Sequence, residues 1–137
     1  ATRISEAMMA QSAKDAGQLR ADGLDFGRIA VNVTEKQIAD PSFPERLAEC
    51  AANSGVSITD FDVEITEAVL LARNADQIRA NLLDFRAAGV RVALDDFGTG
   101  YASLTHLRDY PIDQIKIDKS FILDLDRNRE SRVITRA

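Results

Sequence analysis

Four acids, one amide and one lysine stand at corresponding places in four short segments of this 137-residue sequence. Asn32 lies in "RIAVNVT", Glu64 in "FDVEIT", Asp95 and Asp96 in "VRVALDD", and Lys116 with Asp118 in "QIKIDKSFI". Carboxylates gathered in a low-dielectric cavity repel one another and lose hydration unless they are protonated or bound to cations. An all-oxygen donor set suits hard divalent ions, Mg²⁺ or Mn²⁺, with Ca²⁺ a further occupant. Adjacent aspartates can bridge or divide two such ions, because one carboxylate can lean into each coordination sphere. A lysine beside them would hold an oxyanion or orient an attacking water. Together these groups suit metal-assisted hydrolysis of a phosphoester.

Taken singly, each residue has a duller explanation. Asp96 alone reads as a cap or turn residue, and Glu67 as a solvated helix start. Asn32 alone reads as a satisfied core amide, and Lys116 as the partner of Asp118. "GTG" lacks the lysine of a phosphate loop and the spacing of a dinucleotide site. Recurrence across four strands outweighs these readings. A Schiff-base aldolase using Lys116 is an alternative chemistry. Such a lysine needs a depressed pKa, whereas carboxylates around it favour the charged form. His106 reads as a surface or packing residue, Cys50 as helix core beside Phe43 and Leu47, and Met8 and Met9 as packing.

The elements that must position these groups follow from periodicity. Helices are predicted over 3–20, with Ile4, Ala7 and Met8 on one face, and over 44–55, with Pro44 in the first turn and Gly55 as terminator. A third covers 74–89, with Asn74 as N-cap, Ile78, Leu82 and Phe85 as the buried stripe and Gly89 as terminator. A short helix covers 103–109. Strands are predicted over 28–34, 61–66, 90–96 and 114–122. The tail "DLDRNRESR" reads as a solvated loop leading into a helix. Alternating strands and helices imply βαβ units and a parallel sheet.

Parallel strands are usually apolar on both faces. Here Ile29, Val31 and Val33 alternate with Ala30, Asn32 and Thr34, and Phe61, Val63 and Ile65 with Asp62, Glu64 and Thr66. Val92 and Leu94 oppose Arg91, Ala93 and Asp95, and Ile115 and Ile117 oppose Gln114, Lys116 and Asp118. A doubly wound sheet has no home for the polar face. A (β/α)₈ barrel does, because polar residues near the strand C-termini meet at the mouth of the lumen. Asn32, Glu64, Asp95, Lys116 and Asp118 are therefore expected to converge at one end of the sheet, with Asp96 just beyond.

Composition is that of an ordinary globular chain, 45% hydrophobic and 28% charged. A net charge of −5 disfavours non-specific binding to nucleic-acid polymers or anionic membranes. No apolar run approaches the roughly 20 residues needed to span a bilayer. Cys50 is the single cysteine, so an internal disulfide is excluded and a reducing, cytoplasmic setting is expected.

The stretches "VEITE", "ALDDFGTGYASL" and "PIDQIKIDKSFI", with "VNVT" before them, closely resemble the EAL-domain phosphodiesterases, which cleave cyclic di-GMP. The resemblance implies a modified TIM barrel, of which residues 1–137 form the central portion, roughly half. It implies hydrolysis of one phosphodiester to linear pGpG with Mg²⁺ or Mn²⁺. Asn32, Glu64 and Asp95 match ligands of a first metal, and Asp96, with Asp95 shared, ligands of a second. Lys116 matches a lysine that meets the attacking water or scissile phosphate, and Asp118 an aspartate supporting it. Glu67 matches a glutamate anchoring the loop 97–103, with Thr99 as its partner; that loop serves dimerisation and regulation in the family. A homodimer is implied, as are sensor or GGDEF domains in the parent protein. The Glu-x-Leu signature lies upstream of this stretch and a later acidic segment beyond Ala137. The isolated chain is accordingly expected to be inactive or nearly so, and to self-associate through open strand edges. The competing family-level reading is a degenerate EAL domain that binds cyclic di-GMP as a non-catalytic sensor.

Overall fold

The computed structural model describes residues 2–98 and 104–123. A long helix, α1 (Thr2–Ala21), leads into strand β1 (Ile29–Asn32), followed by α2 (Glu35–Ile38) and α3 (Phe43–Asn53). Then come β2 (Phe61–Thr66), α4 (Ala75–Ala87), β3 (Arg91–Phe97), α5 (Leu104–Arg108), β4 (Gln114–Ile117) and α6 (Lys119–Leu123). Two 3₁₀ turns, Ile58–Asp60 and Glu67–Leu71, flank β2. All pairings are parallel, and the sheet runs β1-β2-β3-β4 in sequence order. Successive parallel neighbours joined by helices form the repeating unit of the expected barrel.

One face of the sheet carries the core. Val31, Val63, Ile65, Val92 and Leu94 bury against Met9, Ala13 and Ala16 of α1, Phe43 and Leu47 of α3, and Ile78, Leu82 and Phe85 of α4. Phe43 and Phe85 meet edge to face, with centroids 5.7 Å apart. Cys50 is half-buried against this cluster. The helix ends obey their sequence signals. Gly55 and Gly89 take left-handed φ values of 71° and 84° just past α3 and α4. Thr34 and Gln37 form a reciprocal capping box at the start of α2.

Three expectations need correction. The buried face of α1 is Met9, Ala13 and Ala16, while Ile4 and Met8 are 68% and 66% exposed. Close approach decides the rotation of this helix: a Cβ on Gly17 would lie 1.9 Å from the Ser54 carbonyl oxygen, so the small residues must face inward. Asn74 occupies the N-cap position of α4, yet its side chain makes no capping hydrogen bond. Finally, β4 stops at Ile117 rather than continuing to 122. The Asp118 carboxylate accepts the Ser120 N–H at 2.8 Å and so caps α6.

Candidate active site

The register settles which polar residues share a side. Asn32 pairs with Glu64, and Glu64 with Ala93. Asp95 lies two residues beyond Ala93, on the same face as Glu64. Ala93 pairs in turn with Gln114, two residues before Lys116. Asn32, Glu64, Asp95 and Lys116 therefore project from one face toward the C-terminal ends of four adjacent strands.

Asp96 should by strict alternation point the other way. It does not, because the β3–β4 ladder is irregular at that point. Leu94 pairs with Ile115 and Phe97 with Ile117, so Asp95 and Asp96 together oppose Lys116. This two-against-one arrangement is a β-bulge. Its conformational signature is Asp96 at φ 53°, the non-glycine residue with positive φ among the described residues. Aspartate tolerates this left-handed region better than most side chains. Beyond the bulge the alternation resets, and Phe97 returns to the core. Asp96 thus lies inside β3, as the predicted strand over 90–96 has it, but at a bulge that alternation alone does not reveal.

Lys116 pairs with Glu64 and not with Asp118. The two strands are not neighbours; β3 runs between them, so the side chains span about 10 Å of sheet. The small Ala93, level with Glu64 in register, leaves room for that reach. Glu64 is 7% exposed, a position in which an unpaired carboxylate would be costly. The hydrogen bond from Lys116 to Glu64, with Asp95 and Asp62 nearby, holds the ammonium above its ordinary pKa. A Schiff-base role for Lys116 loses its chemical basis here, since it requires the opposite shift.

Asp118 contacts Ser120 and Asp96. Hydrogen bonds from Ser120 hold the Asp118 carboxyl below its usual range. Asp96 is pushed the other way, first by the charge of Asp95 and then by burial and Asp118. Glu67, expected to be a solvated helix start if it had no function, begins the 3₁₀ turn after β2 but is only 4% exposed. Thr99 and residues 100–103 of the loop lie outside the described residues.

The opposite ends of the strands hold an ion network that sequence reasoning missed. Arg28 Nε donates to Asp62 Oδ1 at 2.6 Å, and Arg91 donates to both Asp62 oxygens at 2.9 and 2.7 Å. These bonds, from Arg91 foremost, hold the Asp62 carboxyl below its usual range. Alternation put Asp62 on the polar face, but only register reveals its arginine partners. Gln37 was also overlooked, although Thr34-x-x-Gln37 is a capping-box signature. Its buried Oε1 accepts from Thr34 and from Ser5 of α1, beside Asn32, at the edge of a cavity of about 260 Å³. His106 lies half-buried on α5 by Asp109 and Tyr110.

The donors fit a divalent cation in chemistry: among the described residues they are oxygen only, and four carboxylates outnumber Lys116 and Lys119 at the C-terminal pole. They are not fully drawn together. Among the described residues no three His, Cys, Asp or Glu side chains form a ready coordination group. The reason lies in the pairings, since Lys116 engages Glu64 while Ser120 engages Asp118. Among the described residues, no helix is long and apolar enough to cross a membrane.

Comparison with known proteins adds the following. A family described as "EAL domain" matches residues 1–137. Cyclic di-GMP phosphodiesterase PA2567 of Pseudomonas aeruginosa is 39% identical over 110 residues, which cover 80% of this chain and 19% of that protein. The crystal structure of the EAL domain of Mycobacterium smegmatis DcpA aligns with a TM-score of 0.85 at 30% identity, covering 98% of this chain and 60% of that one. A manganese and cy-diGMP complex of Klebsiella pneumoniae BlrP1 aligns at 0.81 with 27% identity, covering 96% of this chain and 33% of the other. The chain thus spans 14% and 19% of the length of two curated relatives it matches.

Proposed function

The chain belongs to the EAL domain family, and from that premise we propose that it forms part of a phosphodiesterase that hydrolyses cyclic di-GMP to linear pGpG. The observation that carries this reading is the bulge in β3, which turns two adjacent carboxylates toward Lys116 beside Glu64. A strand has no structural use for that arrangement. Asn32, Glu64 and Asp95 would hold a first Mg²⁺ or Mn²⁺, and Asp95 with Asp96 a second. Bound there, the ions would supply Lewis acidity to the scissile phosphoryl group and the attacking water. Lys116, kept charged by its carboxylate neighbours, would offer an ammonium to a phosphate oxygen or orient that water. Asp118 sets the end of β4 and so the placement of Lys116, and it carries the lower-pKa partner of the Asp96 pair. Glu67, buried behind the Asp95–Asp96 strand end, would hold the loop 97–103. Asn32 and Asp96 would also face the nucleotide.

The same reading gives further expectations. A second copy of the chain would dock through loop 97–103, sensor or GGDEF domains would accompany it, and the location would be cytoplasmic. The 137-residue chain, carrying one four-stranded sheet, would turn over little substrate by itself. The test is hydrolysis of cyclic di-GMP by the complete parent protein, followed by chromatography of the pGpG formed. Chelation and Asp95→Asn should each abolish it; persistence of turnover in Asp95→Asn would refute the assignment. A second reading, binding without cleavage, draws on the absence of a gathered carboxylate trio among the described residues. Tight nucleotide binding with no pGpG from the metal-supplemented parent would establish that reading instead.

A further inference from the structure

A cation seeking Glu64 finds an ammonium already there. Lys116 Nζ sits on Glu64 Oε1, and that carboxylate is among the few charged groups in the buried part of the molecule. The lysine itself is far less confined, with 41% of its side chain exposed against 9% for Glu64. A long flexible stem allows such a residue to move while the glutamate stays fixed. It also has somewhere to go. With much of its side chain already in solvent, the ammonium can swing outward to water at the open C-terminal end of the strands.

We infer that Lys116 is a placeholder: its ammonium neutralises Glu64 when no divalent ion is bound, and the ion pair and cation binding exclude each other. This rests on the reading of Glu64 as a metal ligand. A buried carboxylate left without a counter-ion is strongly unfavourable, so some cation must always accompany it. Lysine fills that role in the unloaded protein. A divalent ion displaces the ammonium outward to the mouth of the site, where a phosphate would lie. Loading the site and arming the lysine are then one event. The observed affinity for a metal is reduced by the free energy of the pair it must break.

The test is a Mn²⁺ titration of the purified complete parent protein, with bound and free ion separated by electron paramagnetic resonance. Lys116→Gln should bind Mn²⁺ about tenfold more tightly than the wild type, equivalent to about 1.4 kcal/mol. Removing a bystander charge by Lys119→Gln should change affinity less than about twofold, as expected of screened surface charge. Glu64→Gln should weaken binding and abolish the gain from Lys116→Gln. Equal affinity in Lys116→Gln and wild type, with Glu64→Gln still weaker, overturns the placeholder and leaves the metal site standing. Binding that ignores Glu64→Gln overturns the site reading itself. A measurement needing no variant is the ¹⁵N resonance of the Lys116 ammonium in the wild type. It should shift as Mg²⁺ is added, and an unchanged resonance at saturating Mg²⁺ counts against the displacement.

Discussion

The two ends of the sheet treat acid in opposite ways. At the N-terminal ends of the strands Asp62 is gripped by Arg28 and Arg91, one carboxylate to two guanidinium groups. At the C-terminal ends, among the described residues, Lys116 is committed to Glu64 while Lys119 acts on Asp118 through its charge alone, which leaves Asp95 and Asp96 facing each other. Asp62 and Glu64 stand two residues apart on one face of one strand, so the contrast owes nothing to strand type. It lies in the counter-ions. Arginine forks saturate a carboxylate permanently and fix the alignment of β1, β2 and β3. On the proposed reading, the pole with surplus carboxylate is where an exchangeable divalent cation would bind. The pKa shifts follow the partners as well: Asp62 and the Ser120-bonded Asp118 lie below the ordinary range, while Asp96, pressed by the charge of Asp95, lies above it.

Substitutions at the two poles should separate function from stability. The largest effect is expected for Glu64→Gln or Asp95→Asn in the complete parent protein. Turnover of cyclic di-GMP should fall by at least about 100-fold, as for loss of a metal-ordering group, without a matching loss in melting temperature. Asp62→Ala should do the reverse. It removes a partly buried charge-assisted network whose Arg91 side is half exposed, and should lower unfolding free energy by about 1 kcal/mol in urea titrations, with turnover changed only severalfold. A smaller effect is expected for Asp96→Gly. Glycine accepts φ 53° without strain and carries no charge to oppose Asp95, so the melting temperature should rise by a few degrees while turnover falls.

The smallest effect is a difference in pH dependence. A carboxyl with a raised folded-state pKa is stabilising when protonated, and that contribution is lost as pH rises through the folded value. Asp96 therefore destabilises the neutral protein, and Asp96→Asn should raise the melting temperature at pH 7 but not near pH 3.5. Asp62 has the opposite sign. Its contribution is present above the unfolded value of about 3.9 and fades as pH falls through its lowered folded value, so the Asp62→Ala deficit should shrink only at the acid end. Parallel pH profiles for the two variants would remove the distinction between the poles.

How much of this could be read from residues alone depended on the range of the interaction. The limits of β2 and the caps at Gly55 and Gly89 follow from local pattern and backbone freedom, and the structure has them where they were expected. The polar face was legible too, since alternation is local. Three things were not. The bulge is invisible because "DD" suits a turn, a cap or a bulge equally, and only the partner strand discriminates among them. The partner of Lys116 depended on register across three strands, whereas the sequence offers Asp118 two residues away. The rotation of α1 was misread because hydrophobicity favours Ile4 and Met8, while close packing against Ser54 favours Ala13, Ala16 and Gly17.

The most direct measurement is anomalous difference density at the manganese edge from crystals of the protein soaked in Mn²⁺. A peak bonded to Glu64 and Asp95, with Asn32 beside it and Lys116 swung away, is the predicted result. Manganese held by other acids, with Lys116 still on Glu64, would contradict the account.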